Sequence, residues 1–282
     1  MNESLANILR KLRLSGLAET LQVRLHEAGG NHLTHAEFLE LVLQDELLVR
    51  QQRQIARRVK AAAFRDPKTL EDFDWSFNQA IKKSQFYDLA TGRFLSERRD
   101  VLICAPPGTG KSHLVQGIGY HLIKLGHAVF YRSIFDVVRD FLHDEALDGH
   151  ERIMATYLKP DLLIIDDFGM KQLPKRSGEF LFEIVMRRYE TRSTMMTSNR
   201  PLEDWGKLLG DVPTATAILD RFLHHADAIT FTGKSYRLRH KAESPKPAQA
   251  PTGYEKKEKN LKPAKAPTGS TVEKEESDSI QD

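Results

Sequence analysis

The sequence predicts an α/β protein: a parallel five-stranded sheet with helices on both faces, preceded by a small all-helical domain. Five short apolar runs beyond residue 100 alternate with helical patterns, as strands buried on both sides do. A glycine-rich turn joins the first of these strands to an amphipathic helix. The stretch before them repeats leucine at helical spacing.

In chain order, Leu5, Ile8, Leu9 and Leu12 share a helix face, and Leu17, Leu21 and Leu25 resume the pattern after Gly16. Gly29-Gly30-Asn31 is expected to break it. Thr34 with Glu37 forms a capping-box signature, opening a helix over 35–64 that stops at Asp66-Pro67. Residues 69–93 are aromatic-rich and less regular, a connecting collar. Strands are expected at 101–105, 127–132, 162–165, 194–197 and 228–231, with helices over 111–125, 134–142 and 151–158. The divisions are then 1–66 (helical), 67–99 (collar), 100–241 (sheet domain) and 242–282 (tail). The tail repeats Lys246-Pro-Ala-Gln-Ala-Pro-Thr-Gly253 as Lys262-Pro-Ala-Lys-Ala-Pro-Thr-Gly269 and has almost no apolar side chains, so it is expected to be a disordered, solubilising segment.

At 40% hydrophobic and 29% charged, the 282 residues can build a core, which excludes global disorder and a fibrous repeat. Apolar runs fall far below the ~20 residues of a membrane helix. Met1 leads into Asn2 and Glu3 without the apolar region of a signal peptide. The single cysteine, Cys104, excludes an intrachain disulfide framework and is expected to pack in the first strand. These features read as a soluble cytoplasmic protein with no membrane partner.

The net charge is only +3, but its distribution is uneven: residues 47–65 hold Arg50, Arg53, Arg57, Arg58, Lys60 and Arg65 and no acid. Arg50, Arg53, Arg57 and Lys60 fall on one helix face, while Leu48, Ile55 and Val59 fall off it and are expected to pack inward. With no aromatic interleaved, such a face suits duplex DNA phosphates rather than bases.

Ala105-Pro-Pro-Gly-Thr-Gly-Lys-Ser112 fits the phosphate-binding loop pattern, with Ala at its first position. Its glycines let backbone N–H groups wrap a phosphate at a helix N-terminus. Residues Pro107, Gly108, Thr109, Gly110, Lys111, Ser112 and His113 are the candidate ATP contacts, with Lys111 toward the β- and γ-phosphates. Leu162-Leu-Ile-Ile-Asp-Asp167 is an apolar strand, expected adjacent to the loop, that ends in two carboxylates. Asp166 with Ser112 would hold Mg²⁺, and Asp167 would polarise the attacking water. Asn199, at the tip of the strand next to the loop, is a candidate for holding that water, with turn chemistry before Pro201 as the alternative. Arg221 interrupts an apolar helix and could serve a neighbouring subunit as an arginine finger, or make a surface salt bridge. Arg237 either touches nucleotide or is a surface strand charge. His224-His225 with His113 or His121 lacks metal-ligand spacing and a supporting carboxylate.

These motifs, with Thr197-Ser-Asn-Arg-Pro201, Ile218-Leu-Asp-Arg-Phe222, Ser235-Tyr-Arg-Leu-Arg239 and Phe73-Asp-Trp-Ser-Phe77, together resemble the IstB/DnaC-like ATPases over residues 1–240. The Asp-Asp-Phe-Gly ending and the Leu- and Arg-rich early helices look more like the IstB transposition helpers than the helicase loaders. The resemblance implies an AAA+ fold of the initiator clade, ATP at subunit interfaces, a homo-oligomer assembled on DNA, and recruitment and stimulation of a transposase. The ordered part is expected to end near Lys241, leaving no room for the helical lid of many AAA+ proteins. The alternatives are a loader whose partner is a replicative helicase and, from the phosphate loop alone, a small-molecule kinase.

Overall fold

The structure, a computed structural model, describes residues 3–66, 68–145, 149–174 and 176–239; the repeat-bearing tail lies outside them. Three helices come first: α1 (Glu3–Lys11), α2 (Ser15–Asn31) and α3 (His35–Ala62). Thr34 opens α3 as the capping box requires: its Oγ1 accepts from the Glu37 amide at 3.3 Å, and Glu37 accepts from the Thr34 amide at 2.8 Å. Leu9, Leu17, Leu21 and Val42 form a small core among the three helices. A Cβ on Gly16 would lie 2.7 Å from the Val49 Cβ, so only glycine admits this approach of α2 to α3. Buried Glu46 accepts from the Leu17 amide at 3.0 Å, and Asp45 takes two Arg24 donors at 2.8 Å each. That pairing holds the Asp45 carboxyl down at about 2.

The expected break at Gly29-Gly30 does not occur. Helix α2 runs through both to Asn31 and reverses at His32, whose φ of 50° is left-handed. An interior glycine costs only about 1 kcal/mol relative to alanine, too little to end a helix held by packing. At the far end α3 stops at Ala62, with Ala63 left-handed, slightly before the expected residue 64. Ile55, Val59 and Phe64 pack against the sheet-domain core that includes Ala62, whereas Leu48, expected inward, is 55% exposed. The collar is more regular than expected, containing α4 (Lys83–Ala90) and α5 (Arg93–Ser96).

The sheet domain follows as β1 (Asp100–Cys104), α6 (Lys111–Lys124), β2 (Val129–Ser133), α7 (Ile134–Glu145), α8 (His150–Leu158) and β3 (Leu162–Phe168). It continues with α9 (Ser177–Arg188), β4 (Ser193–Ser198), α10 (Trp205–Leu209), α11 (Val212–His224) and β5 (Ala226–Thr230). The five strands are parallel in the order β2-β3-β4-β1-β5, as the predicted fold class requires. Period-two alternation divides their side chains. Val101, Ile103, Leu162 and Ile164 join the α6 core, and Leu102, Leu163 and Ile165 join the core with α7, α9 and α11. One neighbour relation differs from expectation: β4, not the Asp-tipped β3, lies beside β1. Cys104 is partly buried, and burial pushes its thiol up. Among the described residues no helix is long and apolar enough to cross a membrane.

The edge opposite the loop buries two charged side chains, Arg188 and Asp100. Arg188 donates to the Tyr157 and Pro160 carbonyls at 2.8 and 3.1 Å, and Asp100 accepts from the Thr194 amide at 2.6 Å. Burial nevertheless pushes Asp100 up to about 7, against the pull of that amide and of Arg188. Between the ordinary value near 4 and about 7 the native state therefore binds more protons than the unfolded chain, so this group's contribution to stability falls as pH rises. Asp100→Asn keeps an acceptor for Thr194 and removes the ionisation. In urea unfolding its stability relative to the native chain should rise between about pH 4 and pH 7 and then level; parallel curves would refute the assignment.

Candidate functional site

The loop between β1 and α6 has the shape its glycines allow. Gly108 and Gly110 sit at φ of +79° and +102°. A Cβ on Gly108 would meet Ser235 Oγ at 2.1 Å, and one on Gly110 would meet the Phe73 ring at 2.6 Å. Lys111 Nζ folds back onto the Ala105 and Pro106 carbonyls at 2.6 and 2.9 Å. Burial lowers Lys111 to about 8, with Asp166 and Asp167 acting in the opposite sense.

A cleft of about 460 Å³ opens over the loop. It is lined by Pro107 through His113, by Asp167 and Asn199, and by aromatic Phe73, Phe77 and Tyr236. Its wall joins two distant segments. The Tyr236 amide donates to the Gly108 carbonyl at 2.9 Å, Phe77 meets Tyr236 edge-on at 4.9 Å, and Asn78 donates to the Thr232 carbonyl at 3.0 Å. His113 lines the cleft, but its Nε2 is already engaged by the Thr69 carbonyl at 2.8 Å.

The carboxylates occupy different environments. Asp166 is fully buried: Oδ2 accepts from the Tyr131 hydroxyl at 2.6 Å, and Oδ1 from Thr197 Oγ1 and, at 2.9 Å, the Asp167 amide. The pairing of β3 with β4 then slips by a bulge between Ile165 and Phe168, and Asp167 takes a left-handed φ of 64°. Asp167 thereby reaches the cleft and accepts from Arg65 Nη1 at 2.8 Å. Burial first, then the Asp166 charge, raises its carboxyl above the usual range, with Arg65 opposing. The Asn199 amide donates to the Phe168 carbonyl at 2.8 Å, placing its side chain at the cleft.

The remaining candidates lie elsewhere. Arg221 is exposed on α11, outside its own chain's cleft, with its guanidinium 5.6 Å from the Tyr189 ring centre. Arg237 lies in a short 3-10 turn (Tyr236–Leu238), not on a surface strand, and lines the cleft. His224 and His225 do have a carboxylate beside them, Glu190, contrary to the sequence reading; all three are exposed, and His225 already meets Glu190 at 3.1 Å. Of the basic face on α3, Arg50 is paired to Glu46 at 2.6 Å, and Arg53 to Glu19 of α2 at 3.2 Å. Counting acids only between residues 50 and 65 overlooked both partners. Arg57, Arg58 and Lys60 make no ion pair among the described residues, and Arg57 and Lys60 are exposed.

Sequence reasoning missed Tyr131 and the role of Arg65. Tyr131 is one apolar strand residue among several, and only the pairing of β2 with β3 brings it to Asp166. Arg65 closes a basic run, and nothing in the sequence sets it apart from that run.

A parallel sheet in this order, with a phosphate loop after β1 and a carboxylate-tipped β3, defines a P-loop nucleotide-binding domain of the AAA+ type. The chain matches the family model for IstB-like ATP binding proteins over residues 7–244, and it belongs to that family. It is 32% identical to the ATP-binding protein of insertion sequence IS5376 from Geobacillus stearothermophilus, over 86% of this chain and 96% of the relative. It is also 32% identical to the insertion sequence IS21 ATP-binding protein of Pseudomonas aeruginosa, over 84% and 89%. Among solved structures, AMPPCP-bound DnaA from Aquifex aeolicus shares the fold at a TM-score of 0.51 and 20% identity, covering 64% of this chain. The match spans only 55% of that DnaA chain. A DNA replication initiation factor matches at 0.50 and 22% identity, over 58% of this chain and 49% of its own.

Because Lys111 is the loop's buried cation, Lys111→Ala should weaken binding of a fluorescent ATP analogue roughly tenfold or more, the scale of a charge-assisted hydrogen bond. Unchanged affinity by titration would show that the phosphates are held without it.

Proposed function

We propose that this protein hydrolyses ATP as an oligomer on duplex DNA, and in that state recruits and stimulates the transposase of its own element. The observation that carries the hydrolytic part is the convergence of Lys111, Asp167 and Asn199 on one cleft, with Asp166 fixed behind them. The insertion-sequence names of its relatives support the transposition part and favour it over helicase loading.

In this reading the loop amides and Lys111 bind the phosphates, Lys111 leaving the Ala105 and Pro106 carbonyls for them. Ser112 and Asp166 would supply the oxygen donors that suit Mg²⁺. Asp166 already accepts hydrogen bonds on both oxygens, which fits contact through the ion's water shell. The ion's chemistry is to neutralise charge on the β- and γ-oxygens. Asp167, with one oxygen unbonded among the described residues, orients and takes a proton from the attacking water, and Asn199 helps to hold that water. Arg221 lies outside its own cleft and is exposed, so in this reading it serves the cleft of a neighbouring subunit. Phosphate contacts with duplex DNA fall to the unpaired end of the α3 face, Arg57, Arg58 and Lys60, with Arg50 and Arg53 contributing if they leave their acidic partners.

The central test is ATP turnover with and without duplex DNA, alongside the size of the ATP-bound complex; turnover and size indifferent to DNA and nucleotide would sink the proposal. Asp167→Ala should bind ATP normally and lose turnover. Mixing Arg221→Ala with Lys111→Ala subunits should restore part of the hydrolysis each lacks, since a finger in trans is worth on the order of 10³–10⁵ in rate. No recovery in the mixture would place Arg221 outside the mechanism. Replacing both Arg57 and Lys60 by Ala should weaken duplex binding at every sequence and flatten its log–log salt dependence by about 1.8. An unchanged slope would locate the DNA on another surface.

A further inference from the structure

Arg65 has no part in the chemistry just proposed, yet its guanidinium touches the group on which that chemistry turns. Nη1 donates to Asp167 Oδ2 at 2.8 Å, and Nη2 lies 3.9 Å from Asp136 at the start of α7. The Arg65 backbone is tied to the same site by another route. Its amide donates to Gln116 Oε1 at 3.1 Å, and Gln116 Nε2 donates to the Ser112 carbonyl at 3.0 Å in the phosphate loop's helix. Arg65 is thus fixed to α6 through its main chain and to β3 through its side chain.

Asp167 needs such a support. It has one methylene fewer than glutamate, and it sits within the bulge in a left-handed conformation that few non-glycine residues adopt. Oδ2 is the oxygen Arg65 holds, and Oδ1 accepts no hydrogen bond among the described residues. We infer that Arg65 is a positioning residue for hydrolysis: it anchors Asp167 through Oδ2 so that Oδ1 faces the attacking water. This rests on the role given to Asp167 above. Arg65 also lies three residues beyond the end of α3, the helix bearing the basic face, so the same contact ties the attitude of that helix to the carboxylate. The duplex-stimulated part of turnover should therefore pass through Arg65.

The test compares Arg65→Ala, Arg65→Lys, Asp167→Ala and the double Ala variant in the full-length protein. Half of the Arg65 side chain is exposed, so the variants should fold, and a melting curve checks this. Arg65→Ala should lower kcat about ten- to hundredfold, the cost of misplacing a reacting group by about 1 Å. Its affinity for a fluorescent ATP analogue and for duplex DNA should stay within about twofold of the native values, within the scatter of a removed surface contact. It should also lose most of the stimulation by DNA. Arg65→Lys, which keeps a cationic donor, should recover part of kcat, and the double variant should be no slower than Asp167→Ala. Turnover by Arg65→Ala at or above the native rate while Asp167→Ala is inactive would overturn this inference alone. Native turnover by Asp167→Ala would overturn the catalytic reading with it.

Discussion

The carboxylate of Asp166 is gripped from both sides of its strand, by Tyr131 of β2 and Thr197 of β4. A carboxylate with no solvent exposure persists only when its oxygens are satisfied. Those two partners are available only with β3 between β2 and β4 and in this register, Ser133 opposite Asp166 on one side and Met196 opposite Ile165 on the other. The sheet order is therefore a condition of the site as well as a packing arrangement. It also decides the division of labour between the two acids. With both oxygens of Asp166 engaged, Asp167 within the bulge is the one left with an oxygen to offer.

The nucleotide cleft is assembled from segments far apart in the chain. The collar supplies Phe73 and Phe77, the loop after β1 supplies the phosphate cradle, and the 3-10 turn after β5 supplies Tyr236 and Arg237. Gly108 and Gly110 are the points where those segments close in, with Ser235 over one and the Phe73 ring over the other. A side chain at either position would push the wall away from the phosphates, so the glycines shape the cleft as a whole in addition to the loop. This close approach explains why the collar belongs structurally to the nucleotide site, although its sequence reads as a linker.

What was legible in the sequence is what local pattern encodes. The five strands, the capping box at Thr34 and the phosphate loop all rest on periodicity or on residue types at fixed offsets, and each forms. The two-glycine break failed because the local cost of glycine is too small by itself to end a helix already formed. Contacts made across the fold were not legible. Nothing adjacent to Tyr131 announces that its hydroxyl meets a carboxylate on the next strand, and nothing near Arg53 announces Glu19 on a helix that folds against it. Arg65 was visible as charge and invisible as geometry, because Asp167 lies 102 residues away in sequence.

Helix α3 belongs to two cores at once, and its charges divide accordingly. Toward its start Val42 packs in the small helical core, and toward its end Ile55 and Val59 pack against the sheet-domain core that includes Ala62. Arg50 and Arg53 are neutralised by acids within the helical part, whereas Arg57 and Lys60 face solvent on the half that rests on the sheet domain. Lys60 stands two residues before the end of the helix and five before Arg65. A polyanion drawn to the unpaired charges would pull on the helix at the end nearest the contact that holds Asp167. A force applied at the far end would first have to strain the small core and its buried Glu46 and Asp45 pairings. The charge pattern thus puts unpaired cations on the half of the helix nearest the Arg65–Asp167 contact.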